Sequence, residues 1–233
     1  MNRLAIFLCA LGILTSVTGC KHELPAYTVC LLDISKSITP EGREYEFKVV
    51  DGLVDGMRRG DRLTIIPITG DAMSDTSGHI VRLYVPSRRE PYDHDLATFR
   101  QQAHGRIETM REVAFAHPSS RTDVLGALDV AKQEFEESQE YPQKGRKRTL
   151  VIFSDFIEDD GVYQFACAPA LTSASGARGL AERLKKENGR AFDDVHIRFN
   201  TLDSNDLRSL TPRRQKTIQA FWSDYLSPPK GSP

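Results

Sequence analysis

Two short polar patterns in this sequence have the residue types and the spacing to hold a metal ion. Asp33, Ser35 and Ser37 occupy alternate positions directly after an apolar run, and Asp155 directly follows a second apolar run. Alternate residues of an extended segment point the same way, so one carboxylate and two hydroxyls are expected to converge. An all-oxygen set without Cys or His favours a hard cation, Mg²⁺ or Mn²⁺, over zinc.

The two apolar runs, residues 27–32 and 149–154, predict the strands that position these groups. Nearly continuous apolar runs rich in β-branched residues are typical of strands that are buried on both faces of a parallel sheet. Residues 63–68 have the same character, and 80–85 predict a weaker strand in a hairpin with them. Residues 195–199 alternate apolar and polar, which predicts a half-exposed strand.

Helical patterns alternate with these strands. Thr122 is expected to be the N-cap of one helix, and Thr211 and Pro212 are expected to be the cap and first residue of another. Strands that alternate with helices predict an α/β fold with a doubly wound, mostly parallel sheet flanked by helices, of the Rossmann type. Ligands of such sheets bind at the carboxyl ends of the strands, where Asp33 and Asp155 are expected to meet. The predicted helices cover residues 41–58, 96–114, 124–135, 180–184 and 212–226.

The pattern resembles the metal-ion-dependent adhesion site (MIDAS) of von Willebrand factor A (vWA) domains. Asp33, Ser35 and Ser37 match the first loop of that motif, Thr122 the second, and Asp155 the third. The resemblance implies a vWA-like fold with one Mg²⁺ or Mn²⁺ ion. It implies that Ser35 and Ser37 bind the ion directly and that Thr122 binds it directly or through water, whereas both aspartates act largely through waters.

The resemblance also implies a function, which is to bind a protein partner whose Asp or Glu carboxylate completes the metal shell. The sequence departs from the family pattern in two places. Phe156 stands where a glycine often follows the third-loop aspartate, and Asp123 follows Thr122 as either a helix-capping acid or an outer-shell group. The alternative is a vWA-like scaffold without metal, which acts as a structural or assembly component of the cell envelope.

The amino-terminal residues have the organisation of an export signal. Residues 1–19 contain a short positive segment and an apolar stretch too short to span a bilayer, and they predict a signal peptide. Small residues precede Cys20, which resembles a bacterial lipobox and implies that Cys20 is lipidated and anchors the chain to a membrane. Residues 20–26 are then a short tether, 27–226 the vWA-like domain, and 227–233 a disordered tail.

An ordinary signal peptide with an accidental cysteine is the alternative. Lys21 follows Cys20 where many inner-membrane lipoproteins have aspartate, so the periplasmic side of the outer membrane is favoured in a cell with two membranes. After export, Cys30 and Cys167 are expected to be either disulfide-bonded or buried free thiols.

Composition and missing motifs exclude several other functions. The chain has 233 residues, of which 39% are hydrophobic and 27% charged, so it is expected to fold around a core. The net charge of −1 argues against nucleic-acid binding, which requires a basic surface. Neither a G-x-S-x-G elbow nor a phosphate-binding loop occurs, and no general base stands at a motif position, so no enzyme activity is expected. A metal-assisted hydrolase is the less favoured alternative.

Overall fold

The computed structural model describes residues 24–75, 79–87, 96–137, 147–188, 192 and 194–227. The expected signal peptide and Cys20 lie outside the described residues, as do the first residues of the expected tether and all but the first residue of the expected tail. Among the described residues, no helix combines the length and the apolar character that crossing a membrane requires.

The described residues form one sheet with the strand order β3-β2-β1-β4-β5. The pairs β1–β2, β1–β4 and β4–β5 are parallel, and β2–β3 is antiparallel, as the predicted hairpin requires. The sheet therefore confirms the predicted α/β fold with a mostly parallel sheet. The strands are β1 (Ala26–Asp33), β2 (Arg62–Ile68), β3 (Val81–Tyr84), β4 (Lys147–Ser154) and β5 (Val195–Thr201).

The helices follow the predicted alternation with strands, and the structure adds two short ones. The last long helix begins at Pro212, and the Thr211 side chain accepts a hydrogen bond from the Arg214 N–H, which confirms the expected cap. A 3₁₀ turn at Pro169–Thr172 precedes the fifth helix. The helices are α1 (Pro40–Gly56), α2 (Ala72–Asp75), α3 (Leu96–Ala116), α4 (Val124–Glu137), α5 (Ala174–Asn188), α6 (Asn205–Ser209) and α7 (Pro212–Leu226).

The sheet is covered on both faces, so the domain has two hydrophobic cores. Val29 and Leu31 of β1 point into the core formed with α4, α5 and α7, whereas Cys30 and Leu32 point into the core formed with α1 and α3. This division explains the continuous apolar run of β1, because side chains on both faces of the strand are buried. Cys30 is a buried free thiol in this strand, and Cys167 is an exposed free thiol.

One predicted helix start is wrong. Thr122 was expected to be the N-cap of α4, but its backbone N–H and C=O both pair with Asp159, in an antiparallel bridge. The helix therefore begins one residue later, and the Asp123 carboxylate accepts the hydrogen bond from the Gly126 N–H at 2.6 Å. Asp123 thus caps α4, which is one of the two roles that the sequence left open for it.

Candidate metal site

The carboxyl ends of β1 and β4 lie side by side at the centre of the sheet, because the two strands are parallel and in register. Asp33 is the last residue of β1, and Asp155 directly follows β4. Ser154 connects the two strand ends, since its hydroxyl donates to Asp33 Oδ2 at 2.6 Å. Both aspartates are buried, so the fold places two carboxylates under the same patch of the surface.

The loop after β1 brings both of its serine hydroxyls to these carboxylates. The backbone N–H of Ser35 donates to Asp33 Oδ1 at 3.0 Å, which folds the loop back over the strand end. The Ser35 and Ser37 hydroxyl oxygens are 3.0 Å apart, and the Ser37 hydroxyl donates to Asp155 Oδ2 at 3.3 Å. Four of the five residues expected from the sequence are therefore connected by hydrogen bonds of their side chains.

The donor set and its spacing fit a small divalent cation. Two neighbouring ligand oxygens of an octahedral Mg²⁺ ion, each about 2.1 Å from it, lie about 3.0 Å from one another. The Ser35 and Ser37 oxygens have this separation. Hydroxyl and carboxylate oxygens are also the ligand types that Mg²⁺ and Mn²⁺ prefer.

Among the described residues Thr122 forms no hydrogen bond with the other four, but its loop is joined to theirs through the backbone. Ser119, in the same loop, pairs with the first loop in both directions, since its N–H donates to Ile34 O and its C=O accepts from Lys36 N. The bridge between Thr122 and Asp159 joins the loop to the segment after β4. The second loop therefore lies between the first and the third, with Thr122 buried at their junction.

Burial favours the protonated forms of both aspartates, and the charge of Asp33 adds to this effect at Asp155. Burial, together with the negative charge of Asp33, raises the pKa of Asp155 to about 7, although a hydrogen bond from Ser204 opposes the shift. Burial also raises the pKa of Asp33, against hydrogen bonds from Ser154 and Ser35. The negative charge of Asp33 thus disfavours ionisation of Asp155, and a bound cation would oppose this effect.

Two charged side chains of α1, neither of them expected from the sequence, lie beneath the site. Arg43 is buried and donates to Ser35 O at 2.7 Å, which holds the first loop from below. Glu46 is fully buried, and its burial and the charge of Asp33 raise its pKa well above the ordinary value. The spacing could have indicated that Arg43 is buried, because it places Arg43 on the same helical face as the buried Phe47 and Val50.

The residue after Asp155 has a backbone conformation that glycine adopts most easily. Phe156 has a φ of 61°, in the left-handed region. The vWA resemblance predicts a glycine here, and the conformation explains why. The buried Phe156 ring packs beside Trp222, whose indole N–H donates to Phe156 O at 2.8 Å. The aromatic packing and this hydrogen bond hold the strained residue in place.

Neither a protein-family model nor a curated protein matches this chain. Solved structures do match. An aerotolerance-related membrane protein from Bacteroides fragilis is 16% identical, with a TM-score of 0.44, over 86% of this chain and 88% of its own. The manganese-loaded TRAP protein of Plasmodium vivax is 13% identical, with a TM-score of 0.42, over 84% and 63%. A von Willebrand factor type A protein from Catenulispora acidiphila is 15% identical, with a TM-score of 0.40, over 85% and 43%.

Proposed function

We propose that this chain is a lipid-anchored lipoprotein of the cell envelope whose vWA-like domain binds a protein partner through one divalent metal ion. Asp33, Ser35, Ser37, Thr122 and Asp155 form the MIDAS-type site, with Mg²⁺ or Mn²⁺ as the ion. The observation that carries the proposal is the chain of hydrogen bonds that gathers Asp33, Ser35, Ser37 and Asp155 at the carboxyl ends of β1 and β4.

The composition of the site indicates the chemistry of the partner. Ser35, Ser37 and Thr122, the residues proposed to touch the ion, are neutral, and both aspartates act largely through waters, so no carboxylate of this chain binds the ion directly. A carboxylate from an Asp or Glu of the partner supplies the missing charge and the remaining ligand atom. The proposed mechanism is coordination of the partner's carboxylate rather than turnover.

The surface beside the first loop suits such a partner. A cavity of about 770 Å³ adjoins the loop, with Ile34 and Ser119 at its near side and Met110 and Val113 of α3 along its wall. Arg106 also lines it, so an acidic partner segment meets both apolar surface and positive charge. We assign this cavity to the residues that flank the partner's metal-binding carboxylate.

The expected lipid on Cys20 would hold the domain with its metal site facing away from the membrane. The tether leads directly into β1, and the metal site lies at the opposite end of that strand. The eight residues of β1 place the site about 25 Å beyond the tether, on the side of the domain away from its anchor. A partner that approaches from the aqueous compartment would meet the metal site first. In a cell with two membranes we propose the outer membrane, on its periplasmic side.

A calorimetric titration of Mn²⁺ and Mg²⁺ into the full chain in detergent micelles tests the metal site. Ser37→Ala removes one expected ligand from a half-buried position, and Ser209→Ala is the matched control on α6, outside the site. We expect saturable binding that Ser37→Ala weakens at least tenfold and Ser209→Ala leaves unchanged. A glutamate-containing peptide is expected to bind only when the metal is present. Equal metal binding by both variants, or none by the native chain even with the peptide, would refute the proposal.

The metal-free scaffold is supported by one specific observation. The Ser35, Ser37 and Asp155 side chains satisfy one another's hydrogen bonds without an ion, and a proton on Asp155 would complete the network. The same variants separate the two functions, because a metal-free scaffold keeps its envelope role in Ser37→Ala, whereas metal-dependent capture of the partner is lost.

A further inference from the structure

A second group of acidic side chains converges at the start of α4. Asp123, Glu158 and Asp160 each contribute a carboxylate oxygen, and these oxygens all lie within 4.8 Å of one another. Asp123 comes from the second loop, and the other two come from the segment after Asp155. Asp123 and Glu158 are buried, whereas Asp160 is partly exposed, so the cluster opens to solvent on one side.

Glu158 supplies an observation that is independent of this clustering. Its side chain is fully buried, and its Oε2 accepts hydrogen bonds from the Val124 and Leu125 N–H groups at 3.1 and 3.0 Å. Its Oε1 is also buried and has no hydrogen-bond partner among the described residues. A buried carboxylate oxygen without a partner is strongly unfavourable, so a ligand that contacts it would remove a large penalty.

The other two carboxylates are held in fixed positions by backbone groups. Asp123 accepts from the N–H of Gly126 through Oδ1 and from the N–H of Ala72 through Oδ2, at 2.6 and 3.0 Å. Asp160 Oδ1 accepts from two N–H groups of its own loop, both at 2.6 Å. The three side chains are therefore oriented before any ligand arrives, which lowers the cost of binding one.

No lysine, arginine or histidine in the described part of the chain forms an ion pair with this cluster. The guanidinium of Arg121 lies over the backbone of Gly161 instead, where an added Cβ would be 2.6 Å from its Nη1. Three carboxylates thus face one another, and no cationic side chain of the described residues pairs with them. Their geometry suits a hard cation with oxygen ligands.

We propose that Asp123, Glu158 and Asp160 form a calcium-binding site, separate from the MIDAS-type site. Three carboxylate oxygens gathered within 4.8 Å of one another can approach a single ion. Ca²⁺ accepts six to eight oxygen ligands in a flexible geometry, whereas Mg²⁺ requires a near-ideal octahedron, so Ca²⁺ is the better match for three carboxylates on two loops. Water fills the remaining ligand positions on the exposed side of Asp160.

The position of this site gives the bound ion a structural role. Asp123 is the neighbour of Thr122, and the backbone of Asp159, which lies between the other two ligands, pairs with Thr122 in both directions. A calcium ion therefore ties the second loop to the third. It holds Thr122 in place whether or not a metal ion occupies the site formed by Ser35 and Ser37.

Calorimetric titration of Ca²⁺ into the full chain in detergent micelles, after removal of metal with a chelator, tests this site. All titrations use the Ser35→Ala/Ser37→Ala background, so that the first site cannot contribute. Asp160→Asn removes one calcium ligand from a partly exposed position. Asp159→Asn is the matched control, because it removes the same charge from the adjacent residue outside the cluster. Circular dichroism establishes that each variant is folded.

We expect the background protein to bind one Ca²⁺ with a Kd of about 1 mM or tighter, as extracellular calcium modules do. Asp160→Asn is expected to weaken this binding at least tenfold, and Asp159→Asn to change it less than threefold. The proposal is overturned if the background protein binds no Ca²⁺ in this range, or if the two variants weaken binding equally. Either result leaves the test of Ser37→Ala unaffected, so the two proposals fail independently.

Discussion

The backbone strain at the residue after Asp155 predicts that a glycine variant is more stable than an alanine variant there, which reverses the usual order of stability. In ordinary strand positions glycine is less stable than alanine by about 0.5–1 kcal/mol, because it loses more backbone freedom on folding. At a left-handed residue the alanine Cβ costs about 1–2 kcal/mol, which glycine avoids. Phe156 has a φ of 61°. We therefore expect Phe156→Gly to be more stable than Phe156→Ala by about 1 kcal/mol.

Both substitutions also remove the buried Phe156 ring, which costs about 3–5 kcal/mol in each variant and so cancels from the comparison. Phe153 provides the matched control, because it is fully buried in β4 and has no left-handed conformation. There we expect the usual order, with Phe153→Gly less stable than Phe153→Ala by about 0.5–1 kcal/mol.

Urea unfolding of the full chain measures all four free energies of unfolding. Circular dichroism is the appropriate signal, because Trp222 is the only tryptophan and lies against Phe156, so its fluorescence changes with the substitution itself. If Phe156→Gly loses as much stability as Phe156→Ala, or more, then the backbone at this residue is not strained. The explanation given for the glycine expected at this position would then be wrong.

Two further predictions concern the thiols and one histidine. Burial raises the pKa of Cys30 to about 12, so iodoacetamide is expected to alkylate the exposed Cys167 in the folded chain and Cys30 only after denaturation. Peptide mapping measures the two rates, and equal rates of modification would contradict this prediction. Hydrogen bonds to Asp55 and Asp51 raise the pKa of His104. The stabilising contribution of the protonated ring is therefore expected to be complete below about pH 6.5 and to be lost as the pH rises through the folded-state pKa. An NMR titration that gives His104 a pKa at or below 6.5 would refute this prediction.

The parts of the fold that the sequence predicts best are those in which local pattern and tertiary environment agree. The apolar runs 27–32 and 149–154 became β1 and β4, because a strand with neighbours on both sides and helices on both faces needs apolar residues throughout. Thr211 capped α7 as expected, since both the cap and the proline after it act within one turn.

The features that the sequence did not predict depend on contacts between distant segments of the chain. Thr122 matched the sequence pattern of an N-cap, but pairing with Asp159 occupies its backbone and moves the helix start to the next residue. Arg43 and Glu46 are missed because charged residues are expected at the surface of a helix, whereas here they support a buried polar loop. The orphaned oxygen of Glu158 depends entirely on tertiary packing and has no sequence signal.

The position of β1 within the sheet also sets the order in which the chain can complete its fold. Of the five described strands, β1 is made first, yet 121 residues separate Asp33 from Ser154, which it meets in the neighbouring strand. Loop closure over such a distance is slow, and an apolar strand that waits for its partner is prone to aggregation. Until β4 pairs with β1, one edge of the central strand therefore stays open.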